Sequence, residues 1–285
     1  MKSAIAAAAV KDGRWSKKIP MLMGKAAADR LQGMSVAELA LYLERHLTCP
    51  TDFTVDMCGE FLEAYFAASW AKTFEMLDLP KTLSVLEIAS GDAVPVPFGL
   101  DCMSEGQGSY VTANLNRELT AQFYEKVKPL GIHANVVEDD AANTGKYYAT
   151  ESFEVVAFQH AVNDVIQTII ADREGLDTVN SNWWDILPEM TRLTASYYNS
   201  NRLQEACYPG FIGLIQTCYD LLKPGGYMVF NNTVYQYDLN LGYPLELYKS
   251  YIPLARKWIA ASGMKLTEVV TEEYDRQWWM ILKKG

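Results

Sequence analysis

A short apolar segment that ends beside an acidic residue and runs into a turn of small residues constrains this sequence more than any other feature. Residues 82–88 form the segment, Glu87 is its acid, and residues 89–93 read Ala-Ser-Gly-Asp-Ala. Such a run predicts a buried strand, and small side chains directly after it let the backbone approach a ligand closely. The sequence therefore predicts an open α/β sheet with a ligand site at the carboxyl end of this strand.

After Pro80 the sequence alternates between short apolar runs and helical periodicity, which is typical of parallel strands joined by helices. Further strands are predicted at residues 110–114, 134–137, 153–158 and 227–231, and helices at 116–130, 211–222 and 245–262. Two closing strands, 265–271 and 278–283, predict an antiparallel hairpin. The expected fold class is α/β, a Rossmann-like seven-stranded mostly parallel sheet with an antiparallel C-terminal edge hairpin, an N-terminal helical cap and a helical insertion after strand 4.

The part of the chain before Pro80 shows helical periodicity throughout, so we expect residues 1–80 to form the N-terminal helical cap. One cap helix is predicted over residues 53–77, because apolar and aromatic residues recur there at helical spacing. Residues 81–285 are expected to form the sheet domain. Within it, residues 161–210 are predicted to be a cap insertion.

The predicted insertion is rich in aromatic side chains, which include Trp183, Trp184, Tyr197 and Tyr198. It is about fifty residues long, far longer than an ordinary connection between a strand and a helix. An insertion after a parallel strand lies at the edge where open α/β sheets bind ligands. We expect one member of each aromatic pair to line the site, because adjacent helical residues point in different directions. The other interpretation is that these aromatics only pack the insertion.

The charge balance argues against a nucleic-acid partner. The 285 residues include 25 Lys and Arg against 35 Asp and Glu, a formal net charge of −10. Phosphate backbones select for the opposite charge, so we expect a small-molecule substrate and no nucleic acid. No apolar run reaches membrane-spanning length, so no membrane partner is expected. The sequence leaves the oligomeric state open.

Cysteine and histidine are sparse. The five cysteines are odd in number and none forms a C-x-x-C pair, which is typical of free thiols in a reducing compartment. We therefore expect a cytoplasmic protein. The three histidines are scattered along the chain, which makes a zinc site improbable, and no metal is expected.

Residues 85–93 resemble the first motif of the class I S-adenosylmethionine-dependent methyltransferases, in which a strand ends in an acid and runs into a glycine-rich turn. The resemblance implies that Glu87 orients the turn and faces the methionine end of the cofactor. Ala89, Gly91 and Ala93 fall on the three glycine positions of the family. The expected cofactor is S-adenosylmethionine, and the G-x-G-x-x-G pattern of a dinucleotide site is absent.

The ends of the second and third strands extend the resemblance. In the family the second strand ends with an acid that binds both ribose hydroxyls, and Asn114 takes that position here, with Asn116 two residues on. The third strand leads into Asp139, Asp140 and Ala141. On the resemblance, an aspartate here accepts a hydrogen bond from the adenine amine and the next backbone N–H reaches the ring. Asp140 followed by Ala141 matches this pattern best.

The fourth strand ends with Phe158 and Gln159, which resemble a motif that touches the methionine moiety and the substrate. Residues 221–227, with the letters LLKPGGY, match the family's turn into the fifth strand. The resemblance covers about residues 83–284.

The residues just past the fourth strand are the predicted catalytic group. His160 is either a general base near neutral pH or a residue that orients the loop by hydrogen bonds. Asn163 and Asp164 either bind an amine of the substrate or cofactor or cap a helix. Tyr197 and Tyr198 of the insertion are predicted to help enclose the sulfonium, because aromatic faces stabilise cations.

Three functions fit these expectations. The first is methyl transfer to a small molecule by in-line displacement, consistent with a role in small-molecule biosynthesis. The second is cyclisation of S-adenosylmethionine by its own amine with release of methylthioadenosine, as in the azetidine-2-carboxylate synthases, which resemble methyltransferases. The third is binding of S-adenosylmethionine without catalysis.

Overall fold

The computed structural model describes residues 1–13, 18–47, 50–55 and 57–285. Its strands are β1 (Ser84–Ile88), β2 (Ser109–Ala113), β3 (His133–Val137), β4 (Phe153–Gln159), β5 (Leu222–Asn231), β6 (Leu266–Glu268) and β7 (Trp279–Lys284). They form a seven-stranded sheet in the order β3-β2-β1-β4-β5-β7-β6. The first five strands are parallel, and β7 runs antiparallel to both β5 and β6. The predicted fold class is confirmed.

Helices surround this sheet. The helices that precede β1 in the sequence are α1 (Ser3–Val10), α2 (Ile19–Leu22), α3 (Lys25–Gly33), α4 (Val36–His46) and α5 (Cys58–Met76). The helices that follow β1 in the sequence are α6 (Pro95–Ser104), α7 (Arg117–Val127), α8 (Ala161–Arg173), α9 (Trp183–Asn199), α10 (Leu203–Leu221), α11 (Gln236–Asn240) and α12 (Leu245–Ala261). A short 3-10 helix, Ala141–Lys146, follows β3.

Two predicted helices begin elsewhere than expected. The helix predicted over 53–77 begins at Cys58, and residue 56 of that prediction lies outside the described residues. The helix predicted to begin at 211 begins at Leu203 and continues through Pro209. A proline inside a helix removes one backbone hydrogen bond, but packing can hold the helix together across that point. Here Phe211 and Cys207, on either side of the proline, are fully buried.

Each face of the sheet has its own apolar core, because parallel strands are covered on both faces. On one face Val85, Val155 and Val229 pack with helices α1, α3, α4, α5 and α6. On the other face Leu86 and Val156 pack with α8, α10 and α12. The N-terminal helices therefore share a core with one face of the sheet, and α6 and α8 leave β1 and β4 on opposite faces.

Four of the five cysteines lie in the described part of the chain. Cys58, Cys102, Cys207 and Cys218 are all buried and free, whereas Cys49 lies outside the described residues. No helix among those described is long and apolar enough to cross a membrane.

Close contact between α5 and α6 depends on a glycine. A Cβ atom at Gly99 would lie 2.8 Å from the Ala67 carbonyl oxygen and 2.8 Å from Trp70 Cβ. Both contacts are shorter than real Cβ atoms show, and one of them is to backbone that cannot move aside. Gly99 therefore sets the distance between the cap helix and the first helix of the sheet.

The Gly99→Ala variant should lower the free energy of unfolding by roughly 1–3 kcal/mol, the usual range for overpacking a core. The matched control is Gly213→Ala on α10, an exposed helical position with no atom within 4 Å of the added Cβ. That control should be neutral or stabilising by up to about 1 kcal/mol. Urea denaturation measures both, and equal stabilities for the two variants would contradict the role of Gly99.

Candidate functional site

The turn after β1 has the left-handed backbone that small residues allow. Ala89 has φ 54° and Gly91 has φ 58°. A Cβ at Gly91 would make only an ordinary contact, 3.5 Å from Leu119 Cδ1, so the backbone angle, not a lack of space, disfavours a side chain. The turn lies at the carboxyl end of β1, beside β4, where the strand order reverses. Open α/β sheets bind ligands at this position.

Asn114 holds this turn in place. Its Oδ1 accepts hydrogen bonds from the backbone N–H of Gly91 at 3.1 Å and from the Ser90 hydroxyl at 3.2 Å. Its Nδ2 donates to the Gly91 carbonyl oxygen at 2.8 Å. Both ends of the amide are therefore engaged by the protein. The structure gives Asn114 a role in positioning the turn, because its amide matches the Gly91 peptide group, and the predicted contact with ribose stays a prediction.

Asn116 is likewise used within the protein. Its Oδ1 accepts from the Leu119 backbone N–H at 3.2 Å, which caps α7. Its Nδ2 donates to the carbonyl oxygens of Thr178 and Ser181 at 3.1 and 2.9 Å. The predicted ribose contact is thus replaced by a tie between α7 and the segment that precedes α9. A capping asparagine and a ligand-binding asparagine look the same in sequence.

The residues after β3 form a structured turn. Asp139 accepts from Asn143 Nδ2 at 2.9 Å and from the Tyr147 hydroxyl at 2.8 Å, and these bonds lower the pKa of its carboxyl. Asp140 accepts from the Ala142 backbone N–H at 2.9 Å and caps the 3-10 helix. Asp140 remains exposed, whereas Ala141 is buried. Of the two acids, Asp140 therefore has the more accessible carboxylate.

Glu87 is fully buried, and one of its oxygens has no partner. Oε2 accepts from the Tyr110 hydroxyl, while Oε1 is screened from solvent and unpaired. Burial raises the pKa of the Glu87 carboxyl to about 8, and the hydrogen bond from Tyr110 offsets part of that effect. A buried acceptor of this kind is costly unless a ligand supplies a donor or a positive charge.

Glu63 of α5 is a second acid over the same strand, and sequence reasoning missed it. Its Oε2 is also screened from solvent and unpaired. Burial raises the pKa of Glu63 to about 7, and its negative charge adds to the raised pKa of Glu87. The signal in the sequence was an acid among the residues of α5 that face the core, between Leu62 and Ala64. Two carboxylates thus place unpaired oxygens near the carboxyl end of β1.

His160 follows β4 and occupies the N-cap position of α8 with φ 53°. The Thr233 backbone N–H donates to its Nδ1 at 3.4 Å, and Asn163 Nδ2 lies 3.4 Å from its Nε2. The Tyr235 ring lies 4.7 Å from the imidazole between centroids. Burial lowers the pKa of His160 to about 4. The imidazole is therefore neutral near pH 7 and is a weak proton acceptor.

The end of β4 is joined to the cap by a buried contact. Trp70 Nε1 of α5 donates to Gln159 Oε1 at 2.6 Å. Phe158 points to the opposite face and stacks on Phe230 at 4.3 Å between ring centroids. Tyr235 is held by a backbone bridge to Thr51, so the N-terminal part of the chain also covers the residues after β5. Phe158 and Gln159 are thereby fixed beside the β1 turn.

The aromatics of the insertion lie elsewhere. The Tyr197 hydroxyl donates to Glu174 Oε1 at 2.6 Å, and Glu174 ends α8, about 20 Å along the helix from His160. Tyr198 packs against the core that contains α8 and α10. Trp184 is 56% exposed. The Tyr197 hydroxyl therefore lies at the far end of α8, and the prediction that Tyr197 and Tyr198 help enclose the sulfonium stays a prediction.

Aromatic rings near His160 come instead from the segment after β5. Besides Tyr235, the Tyr248 ring stacks on His160 at 6.1 Å between centroids. Asp164, one turn into α8, accepts from Asn163 Nδ2 at 2.7 Å. Burial and the charge of Asp238 raise the pKa of Asp164 to about 8. Within the described residues no group of three or more His, Cys, Asp or Glu side chains could hold a metal ion.

The strand order, with β7 inserted antiparallel between β5 and β6, completes a Rossmann-like seven-stranded sheet. No family model matches the chain. No curated protein matches it either.

Several solved structures resemble the fold at low sequence identity. An S-adenosylmethionine-dependent methyltransferase from Aquifex aeolicus has a TM-score of 0.44 and 10% identity over 75% of this chain and 87% of its own. A methyltransferase homologue from Pyrococcus horikoshii has a TM-score of 0.46 and 12% identity over 76% and 67%. The protein PH0851 has a TM-score of 0.48 and 15% identity over 75% of this chain, which spans only 45% of that protein.

The Glu87→Gln variant should change how stability depends on pH. Glu87 stays protonated in the folded protein up to about pH 8, whereas the pKa of a free glutamate is 4.5. The wild type therefore loses stability as the pH rises from 4.5 to about 8. Glutamine removes that loss, so the free energy of unfolding of the variant should rise relative to that of the wild type as the pH increases. The difference should reach on the order of a few kcal/mol at pH 8. Denaturant unfolding at several pH values measures this. The exposed Glu272→Gln is the control, and a constant difference across pH would contradict the assignment.

The His160 imidazole should stay neutral across the physiological range, because burial disfavours its charged form. Its ring C–H resonance, assigned by comparison with His160→Gln, should not titrate between about pH 5.5 and 8. A titration midpoint within about one pH unit of 6.5 would instead support a role for His160 as a general base near neutral pH.

Proposed function

We propose that this protein is an S-adenosylmethionine-dependent methyltransferase that acts on a small molecule. The observation that carries the proposal is the pair of unpaired carboxylate oxygens, on Glu87 and Glu63, beside the Gly91 turn. A cofactor with a sulfonium and an ammonium group carries the positive charge that such oxygens require. The absence of a side chain at Gly91, where φ is positive, suits close approach of a ligand to backbone.

The residues present fit this cofactor at its amino-acid end. Glu87 and Glu63 would face the ammonium of the cofactor. The Gly91 turn, held by Asn114, would lie against its amino-acid portion. Asp140, whose carboxylate is exposed, would accept from the adenine amine. Asn114 would contribute to ribose binding through the turn it holds and through the second N–H of its amide, since only one of the two donates within the protein.

When bound, the cofactor supplies an electrophilic methyl group to a nucleophile. The chain's own contribution is placement, since bringing two reactants into line lowers the barrier by several kcal/mol in well-oriented systems, roughly 7–11 at most. His160, neutral and bonded to Thr233, holds the loop at the β4 end in position. Tyr235, held by Thr51, presents an aromatic ring at the same end and limits access of water.

The charge of the chain supports a small-molecule acceptor over a nucleic acid. A net charge of −10 repels phosphate backbones, and the acids at the site add to that repulsion. The proposed location is the cytoplasm, as expected from the free cysteines. The proposed role is in small-molecule biosynthesis.

The test is incubation with S-adenosylmethionine, alone and with a panel of small amines, phenols and thiols, followed by mass spectrometry. The expected result is S-adenosylhomocysteine that forms only when an acceptor is present. Methylthioadenosine without any acceptor would replace the proposal with cyclisation of the cofactor. Binding without any product would replace it with a non-catalytic role.

The Gly91→Val variant should abolish binding of S-adenosylmethionine, because a branched side chain is strained at φ 58° and fills the space that the ligand approaches. The matched control is Gly213→Val, an exposed glycine with no atom within 4 Å of an added Cβ. Calorimetry measures both affinities. Unchanged affinity in a folded Gly91→Val protein would remove the turn from the cofactor site.

A further inference from the structure

A set of acids and tyrosines lies beside His160, on the segments that follow β4 and β5. We call it the tyrosine–aspartate cluster and define it as Asp164, Asp238, Tyr235, Tyr243 and Tyr248. It is assembled from α8, α11, α12 and the connections beside α11. Asp238 is 6% exposed, and Tyr243 and Tyr248 are 3% and 2% exposed. Of these residues only Tyr235 has a role in the proposed function, so Asp164, Asp238, Tyr243 and Tyr248 remain without one.

The cluster is rich in hydrogen-bond acceptors and contains two buried acids. The Tyr248 hydroxyl donates to Asp238 Oδ2 at 2.7 Å, and Asp164 Oδ1 accepts from Asn163 Nδ2 at 2.7 Å. Apart from burial, the charge that most affects Asp164 is that of Asp238, a second negative group. Neither carboxylate takes part in a salt bridge with any residue that the structure describes.

A separate observation points to a missing donor. Gln167, one turn beyond Asp164 on α8, is 2% exposed and its Oε1 has no hydrogen-bond partner. Its side chain contacts the Tyr243 hydroxyl, which is itself affected by the charges of Asp164 and Asp238. The unpaired oxygen therefore belongs to the same interior space as the two carboxylates. Leaving a buried acceptor unpaired is unfavourable, so a bound donor would stabilise it.

Aromatic faces complete the surroundings. The Tyr243 and Tyr248 rings lie 4.6 Å apart between centroids, and Tyr235 lies 4.7 Å from the His160 imidazole. Aromatic faces attract cations. The neutral imidazole of His160 adds no opposing charge. Carboxylates, an unpaired amide oxygen and aromatic faces together suit a compact cation with several N–H donors.

We propose that the tyrosine–aspartate cluster binds an ammonium group, so that the substrate of this protein is an amine. Its carbon skeleton would extend past His160 toward the carboxyl ends of β1 and β4. This identification of the substrate rests on the proposed function. The ammonium group belongs to an acceptor molecule, since the proposed function assigns the ammonium of the cofactor to Glu87 and Glu63.

The test uses n-propylammonium chloride as the probe and n-propanol as the neutral control. Binding is followed by NMR through the ring resonances of His160, which lies against the cluster. Wild-type protein should bind n-propylammonium saturably and respond much less to n-propanol. Asp164→Asn should weaken binding at least about tenfold, because it removes a charge-assisted hydrogen bond while keeping the shape. Asp172→Asn, at an exposed acid on the same helix, is the matched control and should bind like the wild type.

If Asp164→Asn does not fold, Gln167→Met serves as the second variant, since it keeps the length of the side chain and removes the unpaired oxygen. It should weaken binding severalfold. Equal responses to n-propylammonium and n-propanol in the wild type, or equal binding by the wild type and a folded Asp164→Asn, would overturn the ammonium site.

Saturation with S-adenosylhomocysteine identifies the source of the ammonium. Continued binding of n-propylammonium would assign the cluster to an acceptor. Competition by S-adenosylhomocysteine, but not by its deaminated analogue, would assign the cluster to the cofactor's own amine and overturn the proposal that it binds a substrate amine. Failure of S-adenosylmethionine to bind a protein that still binds n-propylammonium would overturn the proposed function and leave the ammonium site standing.

Discussion

The pairing of β4 directly beside β1 is the constraint on which the site depends. Glu87 of β1 lies opposite Ala157 of β4, and the order of the strands reverses between them. The helices that follow these two strands pack on opposite faces of the sheet, so their first turns diverge. The Gly91 turn lies on one side of this switch point and His160 on the other, and ligands bind at such positions in open α/β sheets.

The second requirement is a cover over this gap, and distant parts of the chain supply it. Trp70 of α5 bonds to Gln159, and Thr51 holds the backbone of Tyr235. The cover is apolar enough to raise the pKa values of the acids beneath it, among them Glu63 and Asp164. Burying acids without cations disfavours their charged forms, and a cationic ligand would reverse that effect. The same burial keeps His160 neutral, so the electrostatics of the site favour positive ligands.

The polar residues show how similar sequence signals lead to different roles. Asn114 and Asn116 both follow β2, yet Asn114 matches a peptide group in the neighbouring turn and Asn116 caps a helix. Asp139 is held by its own loop, whereas Glu87 keeps a free oxygen. Each outcome depends on which donors lie within hydrogen-bond distance. Those donors come from segments up to tens of residues away, so residue type alone does not distinguish the roles.

The sequence by itself determined the fold class, because apolar runs, helical periodicity and the small-residue turn are local properties that extend from Pro80 to the C-terminal hairpin. It also located the edge of the sheet where the site lies. Only the tertiary structure decided which side chains face that edge. It brought in Glu63 and Asp238, which no local motif marks, and it placed the Tyr197 hydroxyl at the far end of α8. The physical reason is that burial and hydrogen bonding are set by groups distant in sequence.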